Sequence, residues 1–206
     1  MRLFRPFFLL KLLYPDAIFR IKTRSKELYL TFDDGPDPDS TPRILDILDA
    51  HNISALFFCS GQQAEEYPAL MALIVSKGHI VGNHGYHHLN GWTTNTYVYI
   101  QNILKNAKST SQHLLRPPYG RIRPSQYRQL SENYRIVFWD IMSYDFDSHL
   151  RSEKVLSMLK KKIRPGSVIV LHDKVTSSVL SFLEEFIEYA GGKGYKFVIS
   201  PFSGQE

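Results

Sequence analysis

The chain has 206 residues, 43% of them apolar and 13% aromatic, with 25 Lys+Arg against 20 Asp+Glu for a formal charge of +5. That composition can bury a real core and excludes a disordered or fibrous chain, and the length suits one domain. Cys59 is the single cysteine, so a disulfide framework and a Cys-rich zinc module are excluded, and any metal site must draw on His and carboxylates.

At the start, Arg2 and Arg5 precede Phe7-Phe8-Leu9-Leu10. Lys11 interrupts this apolar run, and Tyr14-Pro15-Asp16 stands where a small-residue cleavage site would be needed. No stretch approaches the roughly 18 uncharged apolar residues of a spanning helix. Residues 1–24 therefore read as a basic, apolar lead-in that packs on a domain of residues 25–206. No export signal is readable, which favours a cytoplasmic or membrane-peripheral setting. The only basic run, Lys160-Lys161-Lys162, sits at the end of an expected helix, where cations suit the macrodipole. Elsewhere basic and acidic residues mix, and nucleic acid is not an expected partner.

Leu28–Phe32 reads as a buried strand running into the turn-rich Asp33-Asp34-Gly35-Pro36-Asp37-Pro38-Asp39. Ser40 or Thr41 then caps a helix with Pro42 at its first position and Ile44, Leu45, Ile47 and Leu48 on one face. Ala55–Cys59 is the next apolar run. A helical pattern follows over roughly residues 64–77, ended by Gly78. Ile80-Val81 leads into a His-rich segment, and a long helix is expected around residues 95–115. Further strands are expected at Arg135–Trp139 and Val168–Leu171, with a helix near residues 152–163 between them. Val179–Tyr189 reads as a helix up to Gly191-Gly192, and Lys196–Ile199 as a last strand. About seven strand–helix units of this kind imply an α/β fold with parallel strands and crossovers. The pattern alone suits either a barrel short of eight units or an open sheet. Both put reactive groups at the C-terminal ends of strands.

The polar clusters fall at such ends. His84 and His88, four apart, can grip one ion from one face of a helical turn, with His87 as a competitor. Asp33 and Asp34 repel each other at a buried strand end, so a cation or proton must offset their charge. Adjacent side chains on extended backbone diverge, which leaves one carboxylate for a metal and the other for different work. A His₂-carboxylate set keeps a coordination position open, as in catalytic zinc sites; ferrous oxygenases use the same ligand types.

Five segments stand in one order: Thr31-Phe32-Asp33-Asp34-Gly35-Pro36, His84-Gly85-Tyr86-His87-His88, Arg116-Pro117-Pro118-Tyr119-Gly120, Ser143-Tyr144-Asp145-Phe146 and Leu171-His172-Asp173. In this the chain resembles the NodB-type polysaccharide deacetylases of carbohydrate esterase family four. The resemblance implies a distorted (β/α)7 barrel in a single domain. It further implies one divalent metal ion, zinc by default, held by Asp34, His84 and His88, with cobalt, nickel or iron suiting the same atoms. It makes Asp33 the base toward a metal-bound water that attacks the acetyl carbonyl, with Arg116 as its partner. It makes His172 the acid, kept charged and aligned by Asp145, and the Tyr119 backbone N–H a donor to the oxyanion. An Arg partner lowers a carboxylate pKa and an Asp partner raises that of His, which suits a base and an acid. Leu171 and Phe146 would wall an acetyl pocket; Phe146 stands where the family has Trp, without an indole N–H. Trp92 would be a sugar-stacking platform or loop core. The implied substrate is an N-acetylated glycan, such as peptidoglycan, a chitin-like oligomer or exopolysaccharide. Two other readings stand beside it: a catalytically silent glycan-binding module on the same fold, and a phosphatase using the Asp-rich turn. Asp140 and Asp147 read as solvated or structural, and His51, His79, His113 and His149 as surface or capping residues.

Overall fold

The computed structural model describes residues 4–6, 9–110 and 113–203. Arg2 and Phe7-Phe8 of the expected lead-in, and Ser111-Gln112 of the expected long helix, lie outside them. Strands β1 (Glu27–Asp33), β2 (Leu56–Cys59), β3 (Ile80–Asn83), β4 (Leu114–Leu115), β5 (Arg135–Ile136), β6 (Ile141–Met142) and β7 (Ser167–His172) form one curled sheet. Its order is β5-β4-β3-β2-β1-β7-β6, with β8 (Lys196–Phe197) also paired to β1. Every strand pairing is parallel, so the fold is the distorted (β/α)7 barrel in a single domain.

The two-residue period of a strand assigns each side of the sheet. Leu28, Leu30 and Phe32 of β1 turn outward to the helix layer. There they meet Ile44, Leu45 and Leu48 of α1 (Thr41–Ala50), Val155 and Leu159 of α2 (Ser152–Lys162), and Leu183, Phe186 and Ile187 of α3 (Leu183–Gly192). Tyr29 turns inward onto Leu56, Phe58, Leu114, Val137 and Val168, which fill the barrel. Thr31 and Asp33 share that inward side, so the polar residues of β1 rise from a packed interior.

Several elements differ from the sequence reading. The expected helix over 64–77 is two helices, Gly61–Glu66 and Pro68–Ser76, because Tyr67 before Pro68 leaves helical geometry at φ −124°, ψ 60°. The long helix ends early: it runs Thr96–Lys105, capped by the Asn95 side chain on Tyr97 N–H at 2.9 Å, and Leu114–Leu115 is instead β4. An apolar pair that short carries no period, and pairing with β3 and β5 decides its state. The strand expected at Arg135–Trp139 stops at Ile136, and β6 was not read at all. Gly191-Gly192 close α3 from within, and the chain leaves at Gly194, φ +80°. His79 is a core residue: its Nδ1 accepts from Ala55 N–H at 3.1 Å, and burial pushes its pKa down to about 4.

β5 and β6, the two ends of the sheet path, do not pair with each other. Ile18 pairs with Val137 beside β5, Arg20 pairs with Ser167 at the start of β7, and Phe4 C=O accepts from Met142 N–H of β6 at 2.9 Å. Tyr14 and Phe19 are buried on Phe138. Among the described residues, no helix is long and apolar enough to cross a membrane.

Candidate active site

In the β1–β7 register Asp33 stands directly opposite His172. Neighbouring strands lie only about 4.8 Å apart. Both side chains point to the barrel's inner side, so the expected base and acid flank one spot.

Arg116 holds Asp33 from below. Its side chain is fully buried, with Nη1 donating to Asp33 Oδ1 at 2.6 Å and to Thr31 Oγ1 at 2.6 Å. Nη2 donates to Phe138 C=O at 3.0 Å, Nε to Val137 C=O at 3.3 Å, and the guanidinium lies 4.2 Å from the Phe58 ring centre. Burial lowers the Arg116 pKa, and the Asp33 carboxylate opposes that effect. A planar fork with five donors suits four fixed acceptors in a way an ammonium does not.

Asp34, His84 and His88 come together, though not from extended backbone and a helical turn. Asp34 has φ +79°, Gly85 +75° and His88 +53°, so both loops fold by left-handed residues. Side-chain amides hold the histidine loop: Asn83 Oδ1 accepts from Gly85 N–H at 2.8 Å and Asn102 Oδ1 from Tyr86 N–H at 3.0 Å. His84 Nδ1 lies 2.8 Å from the Arg116 carbonyl. A carbonyl only accepts, so Nδ1 carries the proton and Nε2 keeps its lone pair. Burial also pushes the His84 pKa down to about 4, which leaves the imidazole neutral. Asp34 Oδ1 then lies 3.5 Å from His84 Nε2 and 3.1 Å from His88 Nε2, and the three donor atoms lie within 4.8 Å of one another. Ligands bound tetrahedrally at 2.0–2.2 Å stand roughly 3.3–3.6 Å apart, so these residues fit a divalent cation. Asp34 Oδ2 faces away from the histidines to Lys174 Nζ at 2.9 Å. Lys174 was not singled out from sequence; its place directly after Leu171-His172-Asp173 was the available signal.

His172 Nδ1 meets Asp145 Oδ1 at 2.7 Å, and His172 N–H donates to Asp145 Oδ2 at 2.9 Å. Ser143 Oγ donates to Asp145 Oδ1 at 2.6 Å. Burial pushes the His172 pKa down, but the charge and hydrogen bond of Asp145, with the charges of Asp33 and Asp34, outweigh it and raise it. Of the other expected contacts, Phe146 is half-exposed, its ring 4.6 Å from that of His172. Tyr119 is exposed at φ +59°, its ring 4.4 Å from His88. Gly120 beside it must lack a side chain, because a Cβ would come within 2.2 Å of Trp139. Leu171 alternates with His172 and is fully buried in the outer core. Trp92 is exposed, backed by the Arg121 guanidinium at 5.2 Å, with its carbonyl gripped by Arg123 at 2.6 and 3.1 Å. Asp140 is buried in ion pairs with Arg164 and Arg5. Asp173, missed as more than part of a motif, bonds to the Ser40 and Thr41 hydroxyls, and burial raises its pKa to about 7.

The family model described as polysaccharide deacetylase matches residues 20–139. A peptidoglycan-N-acetylglucosamine deacetylase of Bacillus cereus is 34% identical over 185 residues, 85% of this chain and 67% of that protein. The peptidoglycan-N-acetylmuramic acid deacetylase PdaA of Bacillus subtilis is 30% identical over 193 residues, 88% of this chain and 73% of that protein. The crystal structure of the Bc1960 peptidoglycan N-acetylglucosamine deacetylase superposes with a TM-score of 0.86 at 32% identity, covering 92% of this chain and 94% of that one.

Proposed function

The chain belongs to the polysaccharide deacetylase family, and on that premise we propose that it hydrolyses the acetamide of N-acetylated amino sugars in peptidoglycan. The observation that carries this reading is the pairing of Asp33 with His172 across β1 and β7, beside the trio of Asp34, His84 and His88. A glycan-binding module needs no such base and acid.

Asp34, His84 and His88 would hold the cation, zinc by ligand type. Such an ion lowers the pKa of water from ~15.7 to ~7 and polarises a carbonyl oxygen. Asp33 takes the proton of the attacking water on Oδ2, since Oδ1 is committed to Arg116. His172, charged through Asp145, gives a proton from Nε2 to the departing amine nitrogen, which otherwise leaves poorly. The Tyr119 backbone N–H donates to the oxygen that becomes negative. Phe146 walls the acetyl group and Trp92 stacks on a neighbouring sugar face, whereas Leu171, expected beside Phe146, points from β7 into the outer core and takes no part in the pocket. Residues 1–24 act as the lead-in to a domain of residues 25–206.

The test is acetate release from peptidoglycan fragments and from chitooligosaccharides by zinc-loaded protein. Release that stops on chelation and returns with zinc is expected. Saturable glycan binding without acetate from either substrate would leave the binding-module reading in its place.

A pH profile probes the acid separately. His172 must be protonated to act, so kcat/KM falls as pH rises through its pKa, which is raised above the ordinary 6.5. Asp145→Asn removes the charge and weakens the hydrogen bond that raise it. The alkaline limb of kcat/KM should therefore move to lower pH, and an unmoved limb would assign the proton to another group.

A further inference from the structure

The seam between β5 and β6 is bridged by residues that precede the family match, which begins at residue 20. Phe4 accepts from Met142 N–H at the end of β6. Arg5 next to it stands 3.4 Å from buried Asp140 and donates to the Lys162 carbonyl, and Lys162 Nζ lies 5.8 Å from the Phe4 ring centre. The segment is thus fastened at Phe4 and at Arg5 by groups outside the catalytic constellation.

From Phe4 an unbroken run of ring contacts leads to the reaction centre. Phe4 meets Tyr144 edge-on at 5.4 Å and 88°, Tyr144 meets Phe146 at 5.8 Å and 44°, and Phe146 meets His172 at 4.6 Å and 69°. The first and last contacts are edge-to-face and the middle one is tilted; at these separations all three are attractive, so each ring packs against the next. The middle of the run needs such support. Tyr144 sits at φ +60°, a left-handed conformation disfavoured for a side chain of its size, and the residue after it is Asp145. A strained residue keeps its conformation only where its surroundings impose it.

We infer that Phe4 is a positioning residue: through Tyr144 it fixes the loop 143–147, which presents Asp145 and Phe146 to His172, so the N-terminal segment backs a wall of the active site. Its kinetic consequence rests on the proposed function, but its structural consequence does not. Ser143, Asp145 and Asp147 N–H groups are all bonded within this neighbourhood, to Val170 C=O at 3.2 Å, Ser143 Oγ at 3.2 Å and Tyr144 C=O at 3.0 Å, and they report on the loop directly.

The experiment is amide hydrogen exchange on full-length wild type, Phe4→Ala and Phe4→Tyr, read by mass over residues 143–148 and, for comparison, 84–88. Phe4→Ala should exchange about 10-fold faster in 143–148 with 84–88 unchanged, and Phe4→Tyr, which keeps the ring, should exchange like wild type. On a glycan, Phe4→Ala should lose about 10-fold in kcat with zinc affinity unaltered, since the loop misplaces the acid and leaves the metal ligands alone. Unchanged exchange in 143–148, or an equal rise in 84–88, would overturn the inference whether or not the wild type releases acetate. A wild type without acetate release would overturn only the function.

Discussion

Asp33→Asn is expected to lower kcat for acetate release by about 100- to 10,000-fold, the span a positioned base contributes, while keeping the fold and the affinity for zinc. Asn has the same shape and retains an Oδ1 acceptor toward Arg116, but it cannot take a proton. The buried guanidinium keeps Thr31 Oγ1 and the carbonyls of Val137 and Phe138 as partners, so it is not left bare. The trio of Asp34, His84 and His88 does not include the changed residue. Steady-state kinetics on an acetylated glycan, beside zinc titration of the purified variant, separate the two effects. A variant as fast as wild type would remove Asp33 from the chemistry. One that is slow only because it no longer binds zinc would move Asp33 into the ligand set.

The residues that the structure brings together at the candidate site were legible because they are types that have few other reasons to sit at strand ends. Adjacent carboxylates after Phe32 and a guanidinium after Leu115 are costly to bury singly, and each makes sense once the other is present. The local geometry was less legible. The His84–His88 spacing suggested a helical turn, yet the loop is built on left-handed Gly85 and His88, a shape held by adjacent Asn83 and by Asn102 from a later helix. Short strands were missed for a related reason: two residues at Leu114–Leu115 or Ile141–Met142 show no period, and only the neighbouring strands make them strands. Lys174 and the Phe4–Tyr144 contact depend on where loops end in space, which no local pattern encodes.

Arg116→Met should cost about 3–5 kcal/mol of stability, the usual consequence of removing one partner from a buried ion pair. At 2–4 °C per kcal/mol for a chain of this size, Tm should fall by roughly 6–20 °C. Asp33 is 4% exposed, and without Arg116 its carboxylate keeps burial but loses the opposing charge. Thr31 Oγ1 and two backbone carbonyls lose their donor as well. Lysine at 116 should recover little of this, because a single ammonium cannot reach all four acceptors and stack on Phe58. The double variant Asp33→Asn with Arg116→Met distinguishes pairing from packing. If the cost lies in an uncompensated charge, neutralising Asp33 returns part of the lost stability, and the two changes are strongly non-additive in denaturant unfolding. If Arg116 matters only as volume beneath the site, the single and double variants add, and the account of Asp33 as a base held by a buried guanidinium fails with them.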